Sequence, residues 1–103
     1  MFTFIKKLFS SRPAVDYGEL IKQGATIVDV RSKGEYQSEH LKGSINIPLK
    51  NLSDNLSKIK KNKPVITCCA SGARSGVAKS ILKAKGYEAF NGGPWESLKR
   101  YFN

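Results

Sequence analysis

Two short runs constrain this chain more than anything else in it: TIVDVR at residues 26–31 and PVITCC at residues 64–69. Both are rich in β-branched residues and apolar almost without a break. A strand with one wet face alternates apolar and polar residues. A strand covered on both faces has no such need, and near-continuous apolar runs are typical of parallel sheets. Helical patterns surround these runs. Asp16 can cap a helix through YGELIKQG, closed by Gly24. The polar SKGEYQSEH predicts a short helix over Lys33–Ser38. SINIP predicts a short strand stopped by Pro48. Leu49, Leu52, Leu56 and Ile59 recur at helical spacing and predict a one-faced amphipathic helix. In SGVAKSILKAKG, Val77, Ala78, Ile81 and Leu82 share one face, Lys79 and Lys83 lie opposite, and Gly86 ends the helix. YEAFN predicts a further strand and GGP a turn; Pro94 then opens a last helix through Trp95, Leu98 and Tyr101. Strand and helix alternate throughout. The expected class is therefore α/β: three layers, with a largely parallel central sheet and helices on both faces.

At 103 residues the chain has the size of one domain, expected over residues 13–103. A composition of 40% hydrophobic and 25% charged residues excludes a disordered chain. Residues 1–12 form a separate N-terminal segment, expected to be flexible or a packing helix. Within it Phe2, Ile5, Leu8 and Phe9 fall in one helical sector, with Phe4 at its edge and Lys6 and Lys7 outside. Those lysines break the apolar run before it reaches signal-peptide length, and no segment is long enough to span a membrane. A weak contact with a membrane surface or a partner is the sharper reading of the same pattern. The two cysteines are neighbours and cannot form a disulfide framework, which fits a reduced, cytoplasmic setting. The net charge is +10, but the lysines are dispersed apart from KIKKNK at residues 58–63. No nucleic-acid motif accompanies them, so a nucleic-acid partner is not expected. A solvated basic surface is, with faster capture of small anions as the functional alternative.

The chemistry concentrates in VITCCASGARSG, residues 65–76. Cys69 ends a buried run, and Ala70, Ser71, Gly72 and Ala73 after it are all small. Such a loop can curl its N–H groups inward into an anion nest, and the helix after Ser75 adds its positive end. A cysteine there is favoured as thiolate, with a pKa lowered from about 8.5 into a range of roughly 3.5–7.5. Arg74 is always charged and can pair with an anionic substrate or close the loop, and Ser75 can donate its hydroxyl. Counted from Cys68, however, the same letters read C-x5-R-S, the spacing of cysteine-dependent phosphatases, whose longer loop cradles a phosphate. Outside the loop, Asp29 is a carboxylate in a buried strand. It is expected to be satisfied by neighbouring loop amides or to orient the active loop. Arg31 and Glu35, four apart, are expected to pair. His40, the only histidine, is expected to fix its loop rather than act as a general base, and Trp95 is expected in the core.

The loop resembles that of the single-domain rhodaneses, C-x-x-G-x-R-S, matched by Cys69, Gly72, Arg74 and Ser75. IVDVRSKGEY is similar to the family's D-V-R segment with its acidic-aromatic pair, here Glu35 and Tyr36. EHLKGSINIPL is similar to G-H-I-x-G-A-x-N-I-P through His40, Gly43, Asn46 and Pro48. GYEAFNGGPWESL is similar to the closing segment through Gly86, Gly92, Gly93 and Trp95. Glu39 replaces the usual glycine before His40, and Cys68 stands where an aromatic is common. The resemblance implies a rhodanese-like fold and a sulfurtransferase with Cys69 as nucleophile. A persulfide on Cys69 would carry sulfur from thiosulfate or a persulfide donor to cyanide, a thiol or a sulfur-carrier protein, without metal or organic cofactor. Residues Ala70, Ser71, Gly72, Ala73, Arg74 and Ser75 would bind substrate, and Asp29 and Arg31 would support the loop. Three features favour Cys69 over Cys68. Gly72 lies three residues after Cys69, whereas Cys68 has Ser71 there; Thr67 replaces the phosphatases' usual histidine; and Cys68 extends the strand run. The alternatives are a phosphatase or arsenate reductase using Cys68, and a non-catalytic sulfur carrier or regulatory module.

Overall fold

The computed structural model describes residues 14–102; the N-terminal segment 1–12 and its helical sector lie outside them. Four strands form one sheet: β1 (Thr26–Asp29), β2 (Ile45–Asn46), β3 (Val65–Cys69) and β4 (Ala89–Pro94). Their order is β2-β1-β3-β4 and every pair is parallel. The long α-helix packing on it is α3 (Ala73–Ala84), preceded in sequence by the short helices α1 (Tyr17–Lys22) and α2 (Lys33–Ser38). The α/β class with a parallel sheet is thus as expected, and the two unbroken apolar runs are its two central strands.

Side-chain alternation divides the core between the two faces of the sheet. Val28, Val30, Val65 and Cys69 face one side and pack with Leu52, Ala78 and Leu82. Ile27, Ile66 and Cys68 face the other and pack with Leu20, Leu41, Trp95 and Leu98. Leu82 is wholly buried, so Leu82→Ala would cost about 2–5 kcal/mol.

Helix ends follow the sequence closely. Asp16 Oδ1 accepts from Glu19 N–H at 3.0 Å and caps α1. Helix α2 starts with a reciprocal capping box. Ser32 Oγ accepts from Glu35 N–H at 3.2 Å, and Glu35 Oε1 accepts from Ser32 N–H at 3.0 Å.

Three expectations are corrected. Residues 49–59 do not form an amphipathic α-helix but two 3₁₀ turns, Leu49–Asp54 and Leu56–Lys58. The Asn55 side-chain amide donates to Asn51 O at 2.7 Å, the carbonyl an α-helix would offer to Asn55 N–H, which bonds Leu52 O instead. GGP is not a turn, and Pro94 does not open the last helix: β4 runs through it, and a 3₁₀ helix over Trp95–Phe102 follows. Gly92 shows why. A Cβ there would sit 2.8 Å from Ile66 Cγ2 and 2.9 Å from Thr67 O, so only glycine lets β4 lie this close to β3. Finally, Val77 is half exposed; the face of α3 turned to the sheet is Ser75, Ala78 and Leu82.

Candidate active site

Helix α3 begins without an oxygen cap. Gly72 occupies the cap position with φ +105°, a left-handed conformation that glycine adopts without strain. A Cβ on Gly72 would also approach Gly93 Cα at 3.3 Å. The acceptor that replaces the missing cap is sulfur: Gly72 N–H reaches Cys69 Sγ at 3.0 Å and Ser75 N–H reaches it at 3.4 Å. Ser75 Oγ lies 3.3 Å from the same sulfur. Cys69 is fully buried beneath a loop whose Ala70, Ser71 and Ala73 are exposed. Burial alone pushes its pKa up. The Ser75 hydroxyl and the amides of Ser75, Gly72 and Ser71 outweigh it, and the net shift is down.

Cys68 experiences the opposite. It sits in the other half of the core with Ile66, Trp95 and Leu98, away from the loop. Burial, joined by the charge of Asp29, pushes its thiol up to about 12. Residues 70–75 therefore do not surround Cys68, and the C-x5-R-S count describes no cradle around it. Nor can its thiol meet a sulfur carried on Cys69, since the sheet separates the two side chains.

The loop is braced from three sides. Thr67 Oγ1 donates to Ser75 O at 2.8 Å. Asn91, on β4, donates its Nδ2 to Gly72 O at 3.1 Å, and its Oδ1 accepts from Gly93 N–H at 2.9 Å and from Ser75 Oγ at 2.7 Å. Asn91 was expected only as the end of the strand YEAFN, and nothing local links it to the loop; the pairing of Thr67 with Asn91 in the β3–β4 register is what brings it there. The third brace is Glu35. Its carboxylate receives Arg74 Nη1 at 2.7 Å and Nη2 at 3.1 Å, a two-pronged pair. Arg74, with the Ser32 amide behind it, holds the Glu35 carboxyl down at about 2.

This corrects the expected Arg31–Glu35 pair. Arg31 instead grips Asp29, with Nη2 to Oδ2 at 2.7 Å and Nε to Oδ1 at 3.0 Å. Its guanidinium lies 4.9 Å from the centre of the Trp95 ring and also donates to the carbonyl of Glu39 at 2.8 Å. It reaches Glu35 only at the backbone carbonyl, at 3.5 Å. Asp29 and Arg31 thus make no hydrogen bond to residues 70–75; they hold the α2 segment, and α2 presents Glu35 to Arg74. His40 is exposed and stacked on Tyr36 at 3.8 Å, with Nδ1 2.7 Å from Tyr36 O, consistent with fixing that loop. Trp95 is core.

Beside the loop a cleft of about 660 Å³ opens at the carboxyl ends of β1 and β2, lined in part by Val30, Leu49, Lys33, Lys50 and Arg74. Crevices of this kind, outside the carboxyl ends of parallel strands, are where α/β folds bind ligands. Among the described residues no group of three or more His, Cys, Asp or Glu is placed to hold a metal. No described helix is long and apolar enough to cross a membrane.

A parallel sheet with helices on both faces, and a cysteine sulfur capping the helix that follows its strand, defines an α/β domain built around a cradled cysteine sulfur. The chain belongs to the rhodanese-like domain family, whose model matches residues 14–93. It is 44% identical over 62 residues to thiosulfate sulfurtransferase PspE of Escherichia coli (strain K12), covering 58% of this chain and 60% of that one. It therefore spans about three fifths of that relative's length. Thiosulfate sulfurtransferase GlpE of Pseudomonas savastanoi pv. phaseolicola (strain 1448A / Race 6) is 30% identical over 79 residues, covering 77% of this chain and 74% of its own. A solved structure described as rhodanese with anions from E. coli superposes with a TM-score of 0.66 at 38% identity, covering 71% of this chain and 89% of its own.

Proposed function

We propose that the chain is a sulfurtransferase that carries sulfane sulfur on Cys69. The observation behind this reading is the cap on α3: backbone N–H groups and a serine hydroxyl converge on one cysteine sulfur and favour its thiolate. Relatives named as thiosulfate sulfurtransferases support the same chemistry. The thiolate attacks the outer sulfur of thiosulfate, the S–S bond breaks, and its electron pair leaves with sulfite. Cys69 then holds a persulfide whose terminal sulfur carries the negative charge. The amides of residues 71–75 are the donors for that charge, in the manner of an oxyanion hole. An acceptor nucleophile attacks the terminal sulfur, and the electron pair returns to Cys69 as thiolate. With cyanide the product is thiocyanate.

In this scheme Ala70, Ser71 and Ala73 ring the mouth through which a donor enters, and Gly72 and Ser75 hold the sulfur. Arg74 acts chiefly as a clamp, because Glu35 neutralises it. Mass spectrometry after thiosulfate treatment tests the scheme. Wild type and Cys68→Ala gain the mass of one sulfur atom, Cys69→Ser gains none, and cyanide removes the added mass while releasing thiocyanate. Sulfur loading on Cys69→Ser, or none on wild type, sinks the assignment.

A further inference from the structure

We propose that Asn91 is a positioning residue for the Cys69 sulfur, acting through Ser75: its Oδ1 is the resting acceptor of the Ser75 hydroxyl hydrogen and gives that hydrogen up when negative charge arrives on the sulfur. The inference rests on the Cys69 scheme above and adds a residue to it.

Ser75 is fully buried. A buried hydroxyl needs an acceptor in every state of the site, because an unmade hydrogen bond there leaves its desolvation uncompensated. Among the described residues, two atoms stand ready to take the hydrogen: Asn91 Oδ1 at 2.7 Å and Cys69 Sγ at 3.3 Å. Rotation about a single bond carries it from one to the other. The amide oxygen is the better acceptor while the sulfur is neutral. A thiolate is the better one once the charge is there.

Asn91 is held so that it always offers oxygen to Ser75. Its Nδ2 donates to Gly72 O at 3.1 Å, and its Oδ1 also accepts from Gly93 N–H at 2.9 Å, so a turned-round amide would lose both bonds. The backbone is fixed as well. Asn91 pairs with Thr67 in the β3–β4 register, and the Tyr17 hydroxyl donates to Asn91 O at 2.6 Å. Gly76 leaves room for the amide, since a Cβ there would lie 3.2 Å from Asn91 Nδ2. The acceptor is thus stationary, and the hydroxyl is the part that moves.

In sulfur transfer the hydrogen follows the charge. The Cys69 thiolate draws the hydroxyl to Sγ. In the persulfide Sγ is bonded to Cβ and to the terminal sulfur and is uncharged, so the hydrogen returns to Asn91. When an acceptor attacks the terminal sulfur, the S–S bond breaks, its electron pair comes back to Sγ, and the hydroxyl meets it there. Ser75 keeps its proton throughout.

The test measures how much Ser75 contributes to Cys69 reactivity in three backgrounds of the full chain. Alkylation by iodoacetamide, a neutral reagent, is followed at about pH 6, where the rate tracks the thiolate fraction, and the adduct is located on Cys69 by mass. Ser75→Ala slows alkylation in wild type. In Asn91→Ala the thiol form has lost the resting acceptor, so Ser75→Ala slows alkylation by about threefold more than in wild type. In Asn91→Asp a carboxylate holds the hydrogen, so Ser75→Ala slows it by about threefold less. Each comparison lies within one background, so the direct charge of the aspartate and any slackening of the loop cancel. Either background decides alone if the other variant does not fold. A Ser75 effect equal across backgrounds overturns the proposal, because an Asn91 that only braces the loop changes the rate but not what Ser75 adds to it. Alkylation requires no sulfur transfer, so that result leaves the Cys69 scheme standing. Wild type that takes up no sulfur from thiosulfate overturns the scheme and the role of Asn91 in it.

Discussion

Ser75 has one hydroxyl hydrogen and two neighbours able to take it. Asn91 Oδ1 lies 2.7 Å away and Cys69 Sγ 3.3 Å away. The orientation of the Asn91 amide is fixed by Gly72 O on one side and Gly93 N–H on the other. While Cys69 is a thiol, its S–H points to Ser75 and the Ser75 hydrogen to Asn91. Once Cys69 ionises, the hydroxyl turns to the sulfur. Ser75→Ala removes that donor, so Cys69 titrates higher and its alkylation by iodoacetamide slows at mildly acidic pH. The same change leaves Asn91 with one donor fewer at a cost of about 1 kcal/mol. Cys68 stays unmodified in the native state, because it lies under Trp95 and Leu98 with its thiol pushed up to about 12. Equal modification of both cysteines in folded protein would contradict this. Arg74 was legible as a letter but its partner Glu35, 39 positions back in another element, was not, whereas Gly72 was legible because its role is local. Asn91 was not, because its partners lie in another element, 16 and 19 positions back.

At the scale of elements, α2 and the loop act as one unit through Glu35. The same carboxylate closes the capping box at Ser32 and clamps Arg74. Glu35→Gln keeps an amide that can still serve the capping box but removes the charge pair. Both partners are more than a third exposed, so screening limits the loss to about 1 kcal/mol or less at neutral pH. Its pH dependence follows from the sign of the shift. The folded pKa is depressed to about 2 from 4.5, so the contribution is full above 4.5 and is lost as pH falls through about 2. The difference in unfolding midpoint between wild type and Glu35→Gln should shrink over that window; a constant difference would contradict the pair. Elements were otherwise readable in proportion to how local their causes are. The spacing of Leu49, Leu52, Leu56 and Ile59 shows which side chains turn inward, but it does not distinguish 3₁₀ from α hydrogen bonding. The continuation of β4 through Gly92 depends on Ile66 and Leu98, which no local pattern reveals.

For the molecule as a whole, the net charge of +10 would, under the proposed scheme, act on a dianionic donor approaching a loop that opens outward. Glu35 cancels Arg74, so the attraction comes from the dispersed lysines rather than from one pair. The rate of sulfur loading by thiosulfate should fall several-fold as the Debye length shrinks from about 30 Å to about 8 Å. A rate indifferent to salt would show that the surface charge plays no part in capture. The α/β class was legible at this scale from the two apolar runs. The order β2-β1-β3-β4 was not, because identical parallel patterns permit several orders.

The buried Trp95 and Leu98 carry a practical consequence. Both lie beyond residue 93, where the family match ends, yet they cover the face of the sheet that holds Ile66 and Cys68. The stretch recognisable by descent is therefore shorter than the stretch needed for autonomous folding. A domain excised at the homology boundary would expose an apolar sheet face to solvent. Any graft, fusion or minimal version of this domain has to retain the residues through at least Leu98.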